Sequence, residues 1–95
     1  MFHHVVFFKL KERTRENAEK IRDALEGMRG KVEQLRHLEI GIDELRTERS
    51  WDVALITRFD SRADMEAYLV HPVHKAAAAV LAELREASIV VDWEA

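Results

Sequence analysis

The sequence predicts an α+β fold, threaded β-α-β-β-α-β, with a four-stranded antiparallel sheet and helices on one face. Three observations carry this. Apolar and β-branched segments at the start, middle and end of the chain have the two-residue period of strands. Between them, apolar residues recur every three or four positions, the period of helices. The chain has 95 residues, 47% of them hydrophobic, enough for one domain with a core and for no second.

Phe2 to Leu10 is the first strand, apolar at successive positions as in a strand covered on both faces. His4, Val6 and Phe8 share one face; His3, Val5 and Phe7 share the other. Thr14 caps a helix with Asn17 in its first turn. Ala18, Ile21, Ala24, Leu25 and Met28 form its inner stripe, while Glu19, Lys20, Arg22, Asp23 and Glu26 are left to water. Gly27 and Gly30 weaken its end, placed near residue 29. Val32 and Leu35 sit in a connecting turn that still packs inward. His37 to Asp43 is a second strand, with Leu38, Ile40 and Ile42 on one face. Residues 43–50 (DELRTERS) are a solvated loop.

Trp51 to Phe59 is the third strand, and Asp60-Ser61 caps a helix containing Met65, Tyr68 and Leu69. Pro72 interrupts that helix. It pushes His71 into an extended conformation and suits the first position of a new helix. Val73 to Ala87 is that helix, with Val80, Leu81 and Leu84 inward, and Ser88 to Glu94 is the last strand. The order is the split βαβ, or ferredoxin-like, arrangement. Its helices cover one sheet face. The other carries Val5, Phe7, Ala54 and Ile56, too apolar to face water. A second copy would cover it, predicting a homodimer through the sheet face that closes into an α/β barrel.

Composition narrows the function classes. Lys and Arg number 15 against 18 Asp and Glu, a net charge of −3, without the basic excess of a nucleic-acid or anionic-membrane binder. The chain has no cysteine, which removes disulfides and thiolate chemistry and suits a reducing compartment. No apolar run reaches the roughly 18–20 residues that cross a bilayer. The N-terminus lacks the basic region and cleavage site of a signal peptide, so a cytoplasmic location is expected.

Chemistry concentrates in Tyr68-Leu69-Val70-His71-Pro72-Val73-His74, with His4 on the first strand. His74 falls near the third position of the last helix, where free N–H groups and the helix dipole disfavour a cation. A neutral imidazole there can accept a proton. The Pro72 break turns Tyr68 towards the same space, and His4 faces the helix side of the sheet. One tyrosine and two histidines around an apolar cavity suit proton transfer next to a carbonyl. Structural readings stand beside this one. His71 is most simply a helix cap bonded to backbone; His4 and His74, each taken alone, read as core histidines satisfied by carbonyls; Tyr68 reads as an amphipathic lid on the core. Although the chain has five histidines, His3 and His4 point oppositely and His71 lies outside the helix that carries His74. No metal site and no cofactor is expected.

These same residues resemble a known family. The segments His4-Val5-Val6-Phe7-Phe8-Lys9-Leu10-Lys11, Trp51 to Ser61, Tyr68 to His74 and Val90-Val91-Asp92-Trp93 are similar, in order and spacing, to those of the stress-responsive A/B-barrel (Dabb) domain. The resemblance implies a ferredoxin-like monomer that pairs into a dimeric α/β barrel. Many members have no assigned activity, and some are linked to stress tolerance in plants. One is a polyketide cyclase whose tyrosine and histidine correspond to Tyr68 and His74, with His4 assisting. Its pocket positions correspond to Val6, Phe8, Ile21, Leu25, Leu55, Thr57 and Val90, and His71 is placed beside them. Ser88 and Arg85 stand where the cyclase has bulky residues. The expected function is a homodimer whose His/Tyr pocket binds a small hydrophobic, carbonyl-type ligand, with cyclase- or lyase-like acid/base chemistry. The alternative is a non-enzymatic stress-related or assembly protein whose dimer is the functional unit. An oxygenase or haem-handling role is a third reading, without a cofactor signature in the sequence.

Overall fold

The first strand, β1 (Phe2–Leu10), lies inside the sheet and organises it. The computed structural model describes residues 1–95, and β1 is followed by α1 (Arg15–Glu26), β2 (His37–Ile42), β3 (Val53–Phe59), α2 (Arg62–Leu69), α3 (Pro72–Leu84) and β4 (Arg85–Glu94). The sheet order is β2-β3-β1-β4, with every neighbouring pair antiparallel. The predicted ferredoxin-like βαββαβ order is therefore present, with the last helix broken in two.

The alternation read from β1 holds. His4, Val6, Phe8 and Leu10 are buried on the helix side with Val53, Leu55, Thr57 and Phe59 of β3. Ala18, Ile21 and Leu25 of α1, Met65 and Tyr68 of α2, and Ala77 and Leu81 of α3 close the core above them. The Thr14 side chain accepts the Asn17 N–H at 3.1 Å, starting α1 as its sequence predicts. Ser61 does the same for α2 through Asp64 N–H, at 3.1 Å.

Three boundaries and the burial of one residue differ from the sequence reading. The first helix ends at Glu26 rather than near residue 29, because Gly27 caps it and the Met28 N–H bonds Leu25 in a tighter turn. Met28 remains buried all the same. The third strand starts at Val53, not Trp51, since the Asp52 side chain turns inward to an ion cluster described below. The last helix stops at Leu84 instead of Ala87. Arg85 and Ala87 are drawn into the ladder with Leu10 and Lys9 of β1, and pairing overrides their helical propensity. Val80, expected inside, is 42% exposed; the inner stripe runs through Ala77, Leu81 and the half-buried Leu84.

On the opposite sheet face, Val5, Ala54 and Ile56 are half-buried. Phe7, Ile89, Val91 and Trp93 beside them stay 41–63% exposed. His3 stacks on Trp93 at one end of this face, with ring centroids 4.8 Å apart.

The β2–β3 loop is tied to the sheet by one carboxylate. Asp52 is fully buried and accepts the Leu10 N–H at 2.8 Å, Arg13 Nε at 3.1 Å and Arg46 Nη1 at 2.7 Å. These bonds hold Arg46 at a φ of 55°, a conformation uncommon for a residue with a Cβ. Burial raises the Asp52 pKa, but the Leu10 N–H and the Arg46 and Arg13 guanidiniums outweigh it and hold the carboxyl below its ordinary value. The stabilisation is thus complete above the unfolded pKa near 3.9 and is lost as pH falls through the depressed native value. Asp52→Ala is expected to cost about 2–3 kcal/mol, below the figure for a fully buried pair because both arginines are partly exposed. Urea midpoints measured from pH 3 to 8 should show that loss near neutrality and a flatter acid limb in the variant. Equal acid limbs would contradict the assignment.

Candidate functional site

The site begins at the helix break. Pro72 excludes helical geometry at His71, which is extended with φ −67° and ψ 137°, so α2 ends with its last carbonyls unpaired by a continuing helix. His74, the third residue of α3, reaches back and donates from Nδ1 to the Leu69 carbonyl at 3.1 Å. With Nδ1 as donor, neutral His74 presents an unprotonated Nε2 as an acceptor. Burial is the main cause that lowers the His74 pKa; the Leu69 bond opposes it, and the charges of His4 and His71 add to the lowering. The neutral form expected from sequence thus follows chiefly from desolvation, more than from the helix terminus.

Tyr68 lies against His74, ring centroids 4.4 Å apart and planes at 60°. Phe59 supports the other side of the phenol at 5.0 Å, and the His4 ring approaches edge-on at 6.3 Å. Tyr68 is fully buried, and its hydroxyl has no hydrogen-bond partner within the protein. Burial raises the phenol pKa, so the group is a proton donor and not a phenolate at neutral pH. An unpartnered buried hydroxyl costs about 1–3 kcal/mol, so such groups call for an explanation.

Beside this ring lies a cavity of about 160 Å³. Val6, Phe8, Leu25 and Leu55 form its apolar floor and wall, Ala77, Ala78 and Leu81 its roof, and His4, Tyr68 and His74 its polar group; Arg85 and Ser88 also line it. This volume is below the roughly 300–1,000 Å³ of drug-sized sites, and close to the roughly 150 Å³ that holds benzene in an engineered core. It suits a ligand of about one ring. A larger depression of about 390 Å³ lies on the other side of the sheet around Phe7, Gly41 and Trp51. No histidine or tyrosine lines it; its titratable side chains are Asp43, Arg49 and Asp52, the last already bonded to Leu10, Arg13 and Arg46.

The structure brings together His4, Tyr68, His74, Val6, Phe8, Leu25 and Leu55 from the sequence reading. The other expected pocket residues fall elsewhere. Ile21 is wholly inside the core. Thr57 spends its hydroxyl on the His4 carbonyl at 2.8 Å, joining β3 to β1. His71 is a helix cap: its Nδ1 accepts the Val73 N–H at 3.1 Å, and its Nε2 faces Glu33 at 3.4 Å. Val90 is on the helix side of β4 but 49% exposed, because the helices stop short of that edge strand.

Asp92 is the residue the sequence reading left unassigned. It stands opposite His4 in the β1–β4 register, and its carboxylate bonds His4 Nδ1. That contact orients the His4 ring and leaves its Nε2 for the cavity side, as a carboxylate does for a histidine in acid/base sites. The alternation of β4, with Asp92 two residues from Val90, was the available signal. Nowhere do three histidine, cysteine or carboxylate side chains converge as metal ligands would.

A cavity thus lies on the helix side of a ferredoxin-like sheet, lined by Tyr68 and two histidines whose rings are oriented by Asp92 and Leu69. Residues 2–95 match the stress responsive A/B barrel domain, and the chain belongs to this Dabb family. A dimeric ferredoxin-like protein of unknown function from Bacteroides fragilis is 32% identical, with a TM-score of 0.87 over 99% of this chain and 95% of that one. A Dabb family protein from Mesorhizobium loti is 20% identical, TM-score 0.79, over 99% and 95%. The hydroxynitrile lyase of Passiflora edulis shares the fold at 16% identity, TM-score 0.80, over 97% and 90%. A search of curated proteins found no match. No helix of the chain is long and apolar enough to cross a membrane.

Two outcomes follow from the geometry. Tyr68→Phe removes an unpartnered hydroxyl, so it should leave the urea midpoint unchanged or raise stability by up to about 1 kcal/mol. A clear loss of stability would show that the hydroxyl is structural. In NMR titration, the His74 ring should change charge below the ordinary histidine value of 6.5. A midpoint above that value would contradict the desolvated site.

Proposed function

We propose that this Dabb protein is a homodimer whose cavity binds a small apolar carbonyl compound and moves a proton at the carbon beside the carbonyl. The observation that carries the proposal is the Tyr68 hydroxyl, buried without a partner beside a His74 whose Nδ1 is occupied by Leu69. His74 Nε2 takes the proton from the carbon next to the carbonyl. Tyr68 donates a hydrogen bond to the carbonyl oxygen as it gains negative charge, and His4, oriented by Asp92, assists. Each role is of the ordinary acid/base kind, worth roughly 10²–10⁴ in rate. The pairing supports polyketide-cyclase-like or aldol-lyase-like chemistry, since an aldol closure begins, and the reverse cleavage ends, with a carbanion next to a carbonyl. That a lyase shares the fold is a prior only.

Support for the dimer comes from the exposed face of Phe7, Ile89, Val91 and Trp93 and from a relative described as dimeric. One observation favours the second reading, an assembly protein with a structural pocket: the cavity, at about 160 Å³, is smaller than most small-molecule sites. Deuterium exchange separates the two. The native protein should speed exchange of the methyl protons of acetophenone in D₂O, followed by NMR. His74→Ala and Tyr68→Phe should each reduce that rate about 100-fold or more, and rates unchanged in both variants would overturn the catalytic roles. In sedimentation at micromolar concentration the native chain should be dimeric. Val91→Glu, which places a charge in the apolar contact, should make it monomeric; a native monomer would refute the dimer.

A further inference from the structure

The cavity has a charged end that acid/base chemistry does not use. Arg85, the first residue of β4, lines it together with Ser88. It is the one permanently charged side chain among the lining residues. Its guanidinium makes one hydrogen bond, from Nη1 to Ser88 Oγ at 3.0 Å. Arg13, Arg29, Arg36 and Arg46 each hold a carboxylate; Arg85 pairs with none. A guanidinium whose remaining N–H groups are free, set beside an apolar cavity, matches the geometry and charge of a carboxylate.

Strand register locates this group relative to the reacting end. The Arg85–Ser88 bond brings the guanidinium to the level of the Phe8–Ser88 rung, whereas His4, whose ring meets Tyr68, lies at the His4–Asp92 rung. Four residues of strand at about 3.3 Å each separate the two rungs by about 13 Å. Allowing a hydrogen bond of about 3 Å at each end leaves about 7 Å between the outer polar atoms of a ligand. One six-membered ring with polar groups at opposite ends has that length, in keeping with the one-ring volume.

We propose that Arg85 is a specificity residue and that the natural ligand is an oxo acid: a carbonyl compound of about one ring that also carries a carboxylate. This rests on reading the cavity as a ligand site. The carboxylate sits on Arg85 at the open β4 edge, and the carbonyl reaches Tyr68 and His74. Permanent pairing at the mouth fixes which end enters, so that the carbonyl and not the acid meets the acid/base groups.

Two near-isosteric probes test it by calorimetry at pH 7.5 and low salt: 4-acetylbenzoate, which carries both groups, and 4-methylacetophenone, which lacks the acid. The native protein should bind the acetylbenzoate about tenfold more tightly, as expected for a charge-assisted pair that is partly exposed. Arg85→Met should bring that ratio close to one, with a native-like urea midpoint showing that the variant is folded. Tyr68→Phe should weaken both probes alike. Equal native affinities, or a preference that survives Arg85→Met, would overturn the role of Arg85. Binding of neither probe would instead defeat the ligand-site reading, and this inference with it.

Discussion

The structure depends on the two-residue alternation of β1. This strand pairs on both edges, with β3 on one side and β4 on the other, so its register is held from two directions. A slip by one residue would exchange the faces of the whole strand. His4, Val6 and Phe8 would leave the helix side, and His3, Val5 and Phe7 would enter it. The histidine of the site and the apolar back of the sheet are therefore two consequences of one register. The Thr57 hydroxyl on the His4 carbonyl is a further tie at the position where the register matters most.

Above that floor, the arrangement of the site follows from Pro72. The break it imposes leaves the Leu69 carbonyl available, and His74 satisfies it. A backbone requirement thereby selects the histidine tautomer, and the tautomer decides which nitrogen faces the cavity. Without the break, Tyr68 and His74 would be six residues apart on one continuous helix, well over a quarter-turn apart around its axis. With it, their rings are in contact. Asp92 serves His4 as Leu69 serves His74, so two imidazoles are oriented by separate partners while the phenol between them has none. The unpartnered group is the one with capacity left for a ligand, which is the usual distribution of strain and satisfaction at functional sites.

The two ends of the sheet divide the labour. Near the β2–β3 loop, Asp52 gathers an amide and two guanidiniums and is fully satisfied; a buried carboxylate in that state stabilises local geometry and has nothing to offer a ligand. Near the β4 edge the helices stop short, Val90 is half exposed and Arg85 has donors to spare. Satisfied polar groups such as Asp52 hold the scaffold, and the unpartnered Tyr68 hydroxyl is the group on which the proposed site rests.

Much of this was legible in the residues themselves. Periodicity identifies every strand and helix and assigns β1 to its faces, because side-chain direction follows from backbone geometry alone. The H-P-x-H turn announces the break and the cap role of His71, because the restriction before proline is local. Other features required the chain to be folded. The end of α3 at Leu84 was settled by pairing with β1, a contact between residues far apart in sequence that overrides helical propensity. Ile21 and Thr57 went to the core and to a backbone carbonyl, and Val90 stayed at an open edge, since which inner-face residues border a cavity depends on where helices end above the sheet. The pairing of Asp92 with His4, and the absence of any partner for the Tyr68 hydroxyl, depend on register and packing across the whole fold. Local physics wrote the elements and their faces; the hydrogen bonds left unmade, on which the proposed chemistry rests, were decided only when distant segments came together.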